Sequence, residues 1–307
     1  MAVDTQIQIG ETSFRNPVFV ASGTFGYGGE VSDLMDVNAL GAVITKSITL
    51  KPRQGNPPPR IVETPSGMLN SIGLANIGVD RCISELFPLY ETLKTRVIVN
   101  IAGSSEDEYV TILEKMESVP NPVCGYEINI SCPNVERGGM EFGVNRDMTL
   151  SLTRKLRERT DRLLIMKLSP NVTDIAEIAR AAEAGGADAL SAINTVVGMS
   201  VNTATRRPSI STTFGGLSGP AIRPVGIASV YRVSRAVSIP VMGIGGITSG
   251  NDAVEYFLAG AWAVQVGTAS FRDPTIAVTV LEGIESYCEQ HRVGAVRDLV
   301  GSLEENG

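Results

Sequence analysis

The chain has 307 residues, 43% hydrophobic and 19% charged, a globular composition with enough length for a full core in one large domain or two. A formal charge of −7 excludes nucleic acid as the main partner, because phosphate binding needs a basic footprint. The four cysteines (Cys82, Cys124, Cys132, Cys288) are scattered with no CxxC pair, which excludes a self-contained zinc or iron–sulfur site, so no metal is expected, and fits a reducing cytoplasm.

In chain order, short apolar and β-branched runs predict eight buried strands: Val18–Ala21, Ala42–Thr45, Arg96–Ile101, Gly125–Ile130, Leu163–Leu168, Ala189–Ile193, Pro240–Ile244 and Ala263–Val266. Several are continuously apolar, as expected when both faces of a strand are covered. Amphipathic helices lie between them, among them Glu106–Val119, Asp174–Ala184 and Asn251–Ala259. Strand and helix alternate eight times without a composition break, which predicts an α/β fold: a single (β/α)8 TIM barrel over residues 1–307. Two connections, Leu50–Gly78 and Val196–Pro220, are too long for simple turns. Both follow strand C-termini, so they are expected as extended loops at the C-terminal face, over the site. No apolar run reaches the roughly 18–20 residues that span a bilayer, and Met1–Gly10 is too polar for a signal peptide, so no membrane partner is expected.

The strands end in polar residues: Ser22–Gly23, Lys46–Ser47, Asn100, Asn129, Lys167, Asn194–Thr195, Gly245–Gly246 and Gly267–Thr268. A barrel brings these together at one end. Lys46 and Lys167 sit in apolar strands where an unpaired ammonium is expensive, so each needs an ion pair, with Glu127 a candidate, or an anionic ligand. Asn100, Asn129 and Asn194 are poor strand formers, and each could cap a helix. Three together, each both donor and acceptor, suit a small polar heterocycle better. Glycines after strands seven and eight mark the usual phosphate site of such barrels. Gly243-x-Gly245 is not a dinucleotide fingerprint, since no GxxG completes it.

The sequence holds one histidine, His291, in a late helix away from every strand end, so another group must move protons. Cys132 is the candidate: it follows Asn129 past a strand end and precedes Pro133, and an exposed thiol near cations can act as base or nucleophile. The other three cysteines read as small core hydrophobes. Glycine-rich Asn134–Asn145 reads as a flexible lid.

Five stretches carry a resemblance: Asn16-Pro-Val-Phe-Val-Ala-Ser-Gly23, Thr45-Lys-Ser47, Asn70-Ser-Ile-Gly-Leu74, Asn129-Ile-Ser-Cys-Pro-Asn134 and Gly215-Gly-Leu-Ser-Gly-Pro220. In order and over nearly the whole chain, they resemble class 1 dihydroorotate dehydrogenases. The last of them, with Gly23-Thr-Phe-Gly-Tyr-Gly-Gly29, is most similar to the class 1B catalytic subunit. Class 2 enzymes use a serine base and carry an N-terminal membrane segment, whereas this chain has Cys132.

The resemblance implies one FMN per chain, its phosphate near Gly219, Gly245, Gly246, Gly267 and Thr268, with Ser22, Lys46, Ser47, Asn100, Asn129, Lys167 and Ile193 around its remainder. Dihydroorotate would be bound by Lys46, Asn70, Ser71, Ile72, Gly73, Leu74, Asn129, Asn194 and Thr195. Cys132 would take the C5 proton while hydride leaves C6, producing orotate for pyrimidine biosynthesis. A partner subunit with FAD and a [2Fe–2S] centre would pass electrons to NAD, in a cytoplasmic heterotetramer of two catalytic and two electron-transfer chains. Two alternatives stand beside this reading. One is a dihydropyrimidine dehydrogenase-like flavoenzyme acting on uracil or thymine, and the other a non-redox phosphate-binding barrel, an aldolase or isomerase using Lys167 as a Schiff base.

Overall fold

The computed structural model describes residues 3–131, 133–134 and 140–304. The candidate base Cys132 and residues 135–139 of the expected lid lie outside the described residues.

Eight parallel strands close a barrel in chain order: Val18–Val20, Ala42–Ile44, Arg96–Ile101, Gly125–Asn129, Leu163–Leu168, Ala189–Ala192, Val241–Ile244 and Ala261–Val266. Closure comes from the last strand pairing with the first, with Val264 opposite Val18. All eight predicted strands are present, and six of their sixteen bounds move, by one or two residues, as strand ends fray where pairing stops. The predicted helices form over Glu106–Glu117, Ile175–Ala184 and Gly250–Leu258. Each starts at a side-chain cap that satisfies an otherwise orphan N–H: Ser105 accepts from the Glu108 amide at 3.2 Å, Asp174 from Ala176 at 2.9 Å and Ser249 from Asp252 at 3.2 Å.

Strand alternation divides the barrel interior into two halves. Toward the N-terminal ends the inward side chains are apolar: Phe19, Ala42, Ile44, Ile98, Leu163, Ile165, Ala189, Met242 and Ala263 form one buried cluster. A hairpin of Ile7–Ile9 and Thr12–Phe14 plugs that end, adding Ile7, Ile9 and Phe14 to the same cluster. One inward step further along, the side chains turn polar: Asn100, Glu127, Lys167, Ser191 and Gln265, all buried. The polar half is the floor of the site.

The two long connections differ from the expectation of extended loops. They join in a four-stranded antiparallel sheet ordered Val196–Gly198, Gly215–Ser218, Gly67–Asn70 and Ile61–Thr64. Its central register puts Leu217 opposite Leu69, across 148 residues of sequence, so neither segment reveals its partner locally. Gly67 is required there, because a Cβ would collide with the Ser218 carbonyl oxygen. The sheet does stand over the C-terminal mouth, as the position of both connections predicts.

Candidate functional site

A cavity of about 440 Å³ opens at the C-terminal mouth between barrel and sheet, within the range of small-molecule sites. It is lined by sixteen of the predicted residues: Ser22, Lys46, Ser47, Asn70, Ile72, Leu74, Asn129, Lys167, Ile193, Asn194, Thr195, Gly219, Gly245, Gly246, Gly267 and Thr268. Three predicted residues do not line it. Asn100 is fully buried and stands behind Ser47, whose hydroxyl donates to Asn100 Oδ1 at 2.6 Å. Ser71 is held by its backbone, its amide donating to the Arg60 carbonyl at 2.8 Å. Gly73 takes φ 74° to turn the chain against Asn56.

Sequence reasoning missed several further lining residues, among them Arg60 and Ser218. Arg60 belongs to the Pro-rich segment of the first connection and reaches the cavity because the sheet folds over it. Ser218 meets the opposite wall, accepting from Thr268 Oγ1 at 2.8 Å. Among the described residues that line the cavity there are three cations, Lys46, Arg60 and Lys167, and no Asp or Glu. That balance selects for an anionic ligand.

The two lysines differ. Lys167 is paired: its Nζ lies 3.5 Å from Glu127 Oε1, and both side chains are almost fully buried. Lys46 has no carboxylate partner among the described residues. Burial, then the nearby Arg60 charge, holds its ammonium below the usual lysine range, partly opposed by Glu30. A cation without a counter-ion, half withdrawn from water, is poised to take one from a ligand.

The asparagines from strands four and six form one unit. Asn194 Nδ2 donates to Asn129 Oδ1 at 3.2 Å and to Ser131 Oγ at 3.0 Å, and Asn194 Oδ1 accepts from the Thr195 amide at 2.8 Å. Tyr109, fully buried beneath, fixes the end of strand four by donating to the Asn129 carbonyl at 2.6 Å. These carboxamides therefore sit at set angles before any ligand arrives, the preorganisation that recognition of a flat amide-bearing ring requires.

At the other end of the cavity, Gly245 and Gly246 take φ 130° and 69°, which only glycine adopts without strain. A Cβ on Gly246 would lie 2.9 Å from the Gly219 oxygen, so this wall can be built only of bare backbone. Tyr256 holds the turn from below, donating to the Gly245 and Ile244 carbonyls at 2.7 and 3.2 Å. Tyr256→Phe leaves the buried Gly245 carbonyl unpaired and is expected to lower unfolding free energy by about 1–3 kcal/mol in a urea titration. A midpoint unchanged from the parent protein would show that the turn holds itself.

The remaining described cysteines carry no chemistry here. Burial pushes the Cys82 and Cys124 thiols up to about 12, and burial also raises Cys288. His291 is exposed and stacks on Tyr287 with ring centroids 4.2 Å apart, far from the mouth in function as the sequence suggests.

This geometry has counterparts among known proteins. The family description "Dihydroorotate dehydrogenase" matches residues 5–288. The chain is 50% identical over 300 residues, 98% of each chain, to a protein of Geotalea uraniireducens named "Dihydroorotate dehydrogenase B (NAD(+)), catalytic subunit". A protein of the same name in Bacteroides thetaiotaomicron is 47% identical over 98% of this chain and 99% of its own. In fold it is similar to the crystal structure of an Eimeria tenella DHODH in complex with ferulenol, with TM-score 0.81, 24% identity and coverage of 97% of this chain and 88% of that one. A closed barrel, a cationic mouth and matches that run through both put the chain in a known group: it belongs to the dihydroorotate dehydrogenase family.

Proposed function

We propose that this chain is the catalytic subunit of an NAD-linked dihydroorotate dehydrogenase, oxidising dihydroorotate to orotate in pyrimidine synthesis, and that residues 1–307 form a single barrel domain. One observation carries the choice of substrate: the Lys46 ammonium, with no carboxylate partner among the described residues, lies in the same cavity as the Asn129–Asn194 pair. Together they match a ring that bears both amides and a carboxylate. A uracil-type substrate has no carboxylate to answer Lys46. A Schiff-base role for Lys167 is disfavoured by its buried pairing with Glu127, since a paired ammonium is a poor nucleophile.

The residues present fit FMN. The all-backbone wall of Gly219, Gly245 and Gly246, with Gly267 and Thr268, would hold its phosphate, since side chains are excluded where the turn must approach closely. Ser22, Lys46, Ser47, Asn129, Lys167 and Ile193 would surround the rest of it, with Asn100 supporting Ser47 from behind. When bound, FMN supplies the hydride acceptor for the carbon–carbon oxidation.

The chain's own side chains do the rest. Lys46 draws in the carboxylate, and Asn70, Asn129 and Asn194 pair the ring amides, with Ile72, Leu74 and Thr195 shaping the wall around them and Ser71 and Gly73 setting the backbone behind it. Cys132 removes the C5 proton. The sheet over the mouth limits access of water, which strengthens each of these polar contacts.

Among the described residues, no group of His, Cys, Asp or Glu could hold a metal, and no helix is long and apolar enough to cross a membrane. The relatives' name describes a catalytic subunit linked to NAD(+). We place the electron exit on a separate subunit carrying FAD and [2Fe–2S], in a cytoplasmic assembly of two chains of each kind.

The test is anaerobic. The purified chain is expected to be yellow, to bleach with dihydroorotate and not with dihydrouracil, and to reduce artificial dyes while needing its partner to reduce NAD. A colourless protein, or bleaching by dihydrouracil alone, would falsify the assignment.

A further inference from the structure

Glu127 touches neither proposed ligand, yet it stands at the centre of the cavity floor. It is fully buried, and four side chains surround its carboxylate. Oε1 accepts from Asn100 Nδ2 at 2.7 Å and faces Lys167 Nζ at 3.5 Å. Oε2 accepts from Ser191 Oγ and from Gln265 Nε2, each at 2.8 Å. Apolar side chains would fill such a layer at least as stably, and do so one step below.

A carboxylate only accepts, and that fixes the direction of every neighbour. Asn100 turns its Nδ2 toward Glu127, which leaves Oδ1 to receive the Ser47 hydroxyl at 2.6 Å. The one proton of Ser47 is thereby committed, and Ser47 offers the cavity an acceptor. Gln265 is oriented in the same way even though its Oε1 is left buried without a hydrogen-bond partner. Lys167 is the only one of these donors that carries charge and also lines the cavity. Its positive charge reaches a ligand partly offset by the carboxylate behind it.

We infer that Glu127 is a positioning residue that sets the charge and hydrogen-bond polarity of the cavity floor through Lys167 and Ser47, and so holds down the reduction potential of the bound flavin. This rests on the flavin reading of the cavity. Reduction makes the flavin more negative, so an undiminished cation beside it favours the reduced state. With Glu127 in place the potential stays low enough for electrons to continue to NAD.

The experiment is an anaerobic dye-equilibrium titration of the flavin in the whole, flavin-loaded chain. Glu127→Gln keeps the shape and removes the charge. It is expected to favour reduced flavin at least tenfold, a rise of about 30 mV for a two-electron couple. Glu127→Asp keeps a carboxylate for the four donors but draws it back from Lys167. It is expected to shift the equilibrium about threefold in the same direction, and it carries the test if Glu127→Gln does not fold. An unmoved potential in both variants overturns the role, since a purely structural residue would move only stability. A shift in Glu127→Gln with none in Glu127→Asp overturns action through Lys167 and leaves a bare charge effect. Unmodified protein that takes up no flavin overturns the flavin reading itself, a failure visible before any variant is made.

Discussion

Cys132→Ala is expected to slow dihydroorotate oxidation by about 10²–10⁴-fold, the usual contribution of a positioned general base. The flavin spectrum of the variant should match that of the parent, because no cofactor contact is assigned to the thiol. The reaction must take a proton from carbon, and the chain's only histidine is exposed and stacks on Tyr287. Cys82 and Cys124 are disqualified by burial, which pushes both thiols up to about 12. An accessible thiol ionises near pH 8.5, so turnover should climb as pH rises toward that value. Cys132→Ser moves the climb to higher pH, because an alcohol gives up its proton less readily. Stopped-flow bleaching of the flavin measures both effects. Near-parental bleaching by the alanine variant would remove Cys132 from the mechanism.

Lys46→Met is expected to raise KM for dihydroorotate by about 10–100-fold, from the roughly 1.5–3 kcal/mol that a hydrogen bond to a charged group contributes. The same substitution should leave weak binding of dihydrouracil unchanged, since that ring has no carboxylate. A pH effect follows from the environment of the lysine. Burial first, and Arg60 second, hold its ammonium below the usual range. The charged form exists below the folded pKa, so carboxylate binding is intact at lower pH. It is lost as pH rises through that depressed value, earlier than for a surface lysine. Set against the rising ionisation of Cys132, this gives kcat/KM a bell shape whose alkaline limb belongs to Lys46. Disappearance of the alkaline limb in Lys46→Met is the expected signature, and its persistence would assign that limb elsewhere.

Much of this site is legible along the chain because a closed parallel barrel leaves little freedom. Once eight buried strands are recognised, whatever follows each must meet at one end. Lys46, Lys167, Asn129, Asn194 and the glycines after strands seven and eight are read from that rule alone. Asn100 follows the same rule to the wrong depth. It lies within the strand Arg96–Ile101, one residue before its end, so its side chain points into the floor and supports Ser47. Glu127 could be seen as a partner for Lys167, but its three other donors come from strands three, six and eight. That convergence depends on the barrel's stagger, which no single strand encodes. Arg60 and Ser218 were hidden for a different reason: they lie in or beside segments whose glycines and prolines look like loop, but which form two short strand pairs that join into one sheet over the mouth.

That pairing has a consequence for how such an enzyme can change. The two crossing segments are interlocked: Asn70 Nδ2 donates to the Gly216 carbonyl at 3.2 Å, and Gly67 leaves room for the Ser218 carbonyl. Transplanting either segment alone from another barrel would strand an edge of unpaired backbone over the mouth. A chimera that exchanges specificity must therefore carry both segments, so in this architecture the unit of inheritance is the pair.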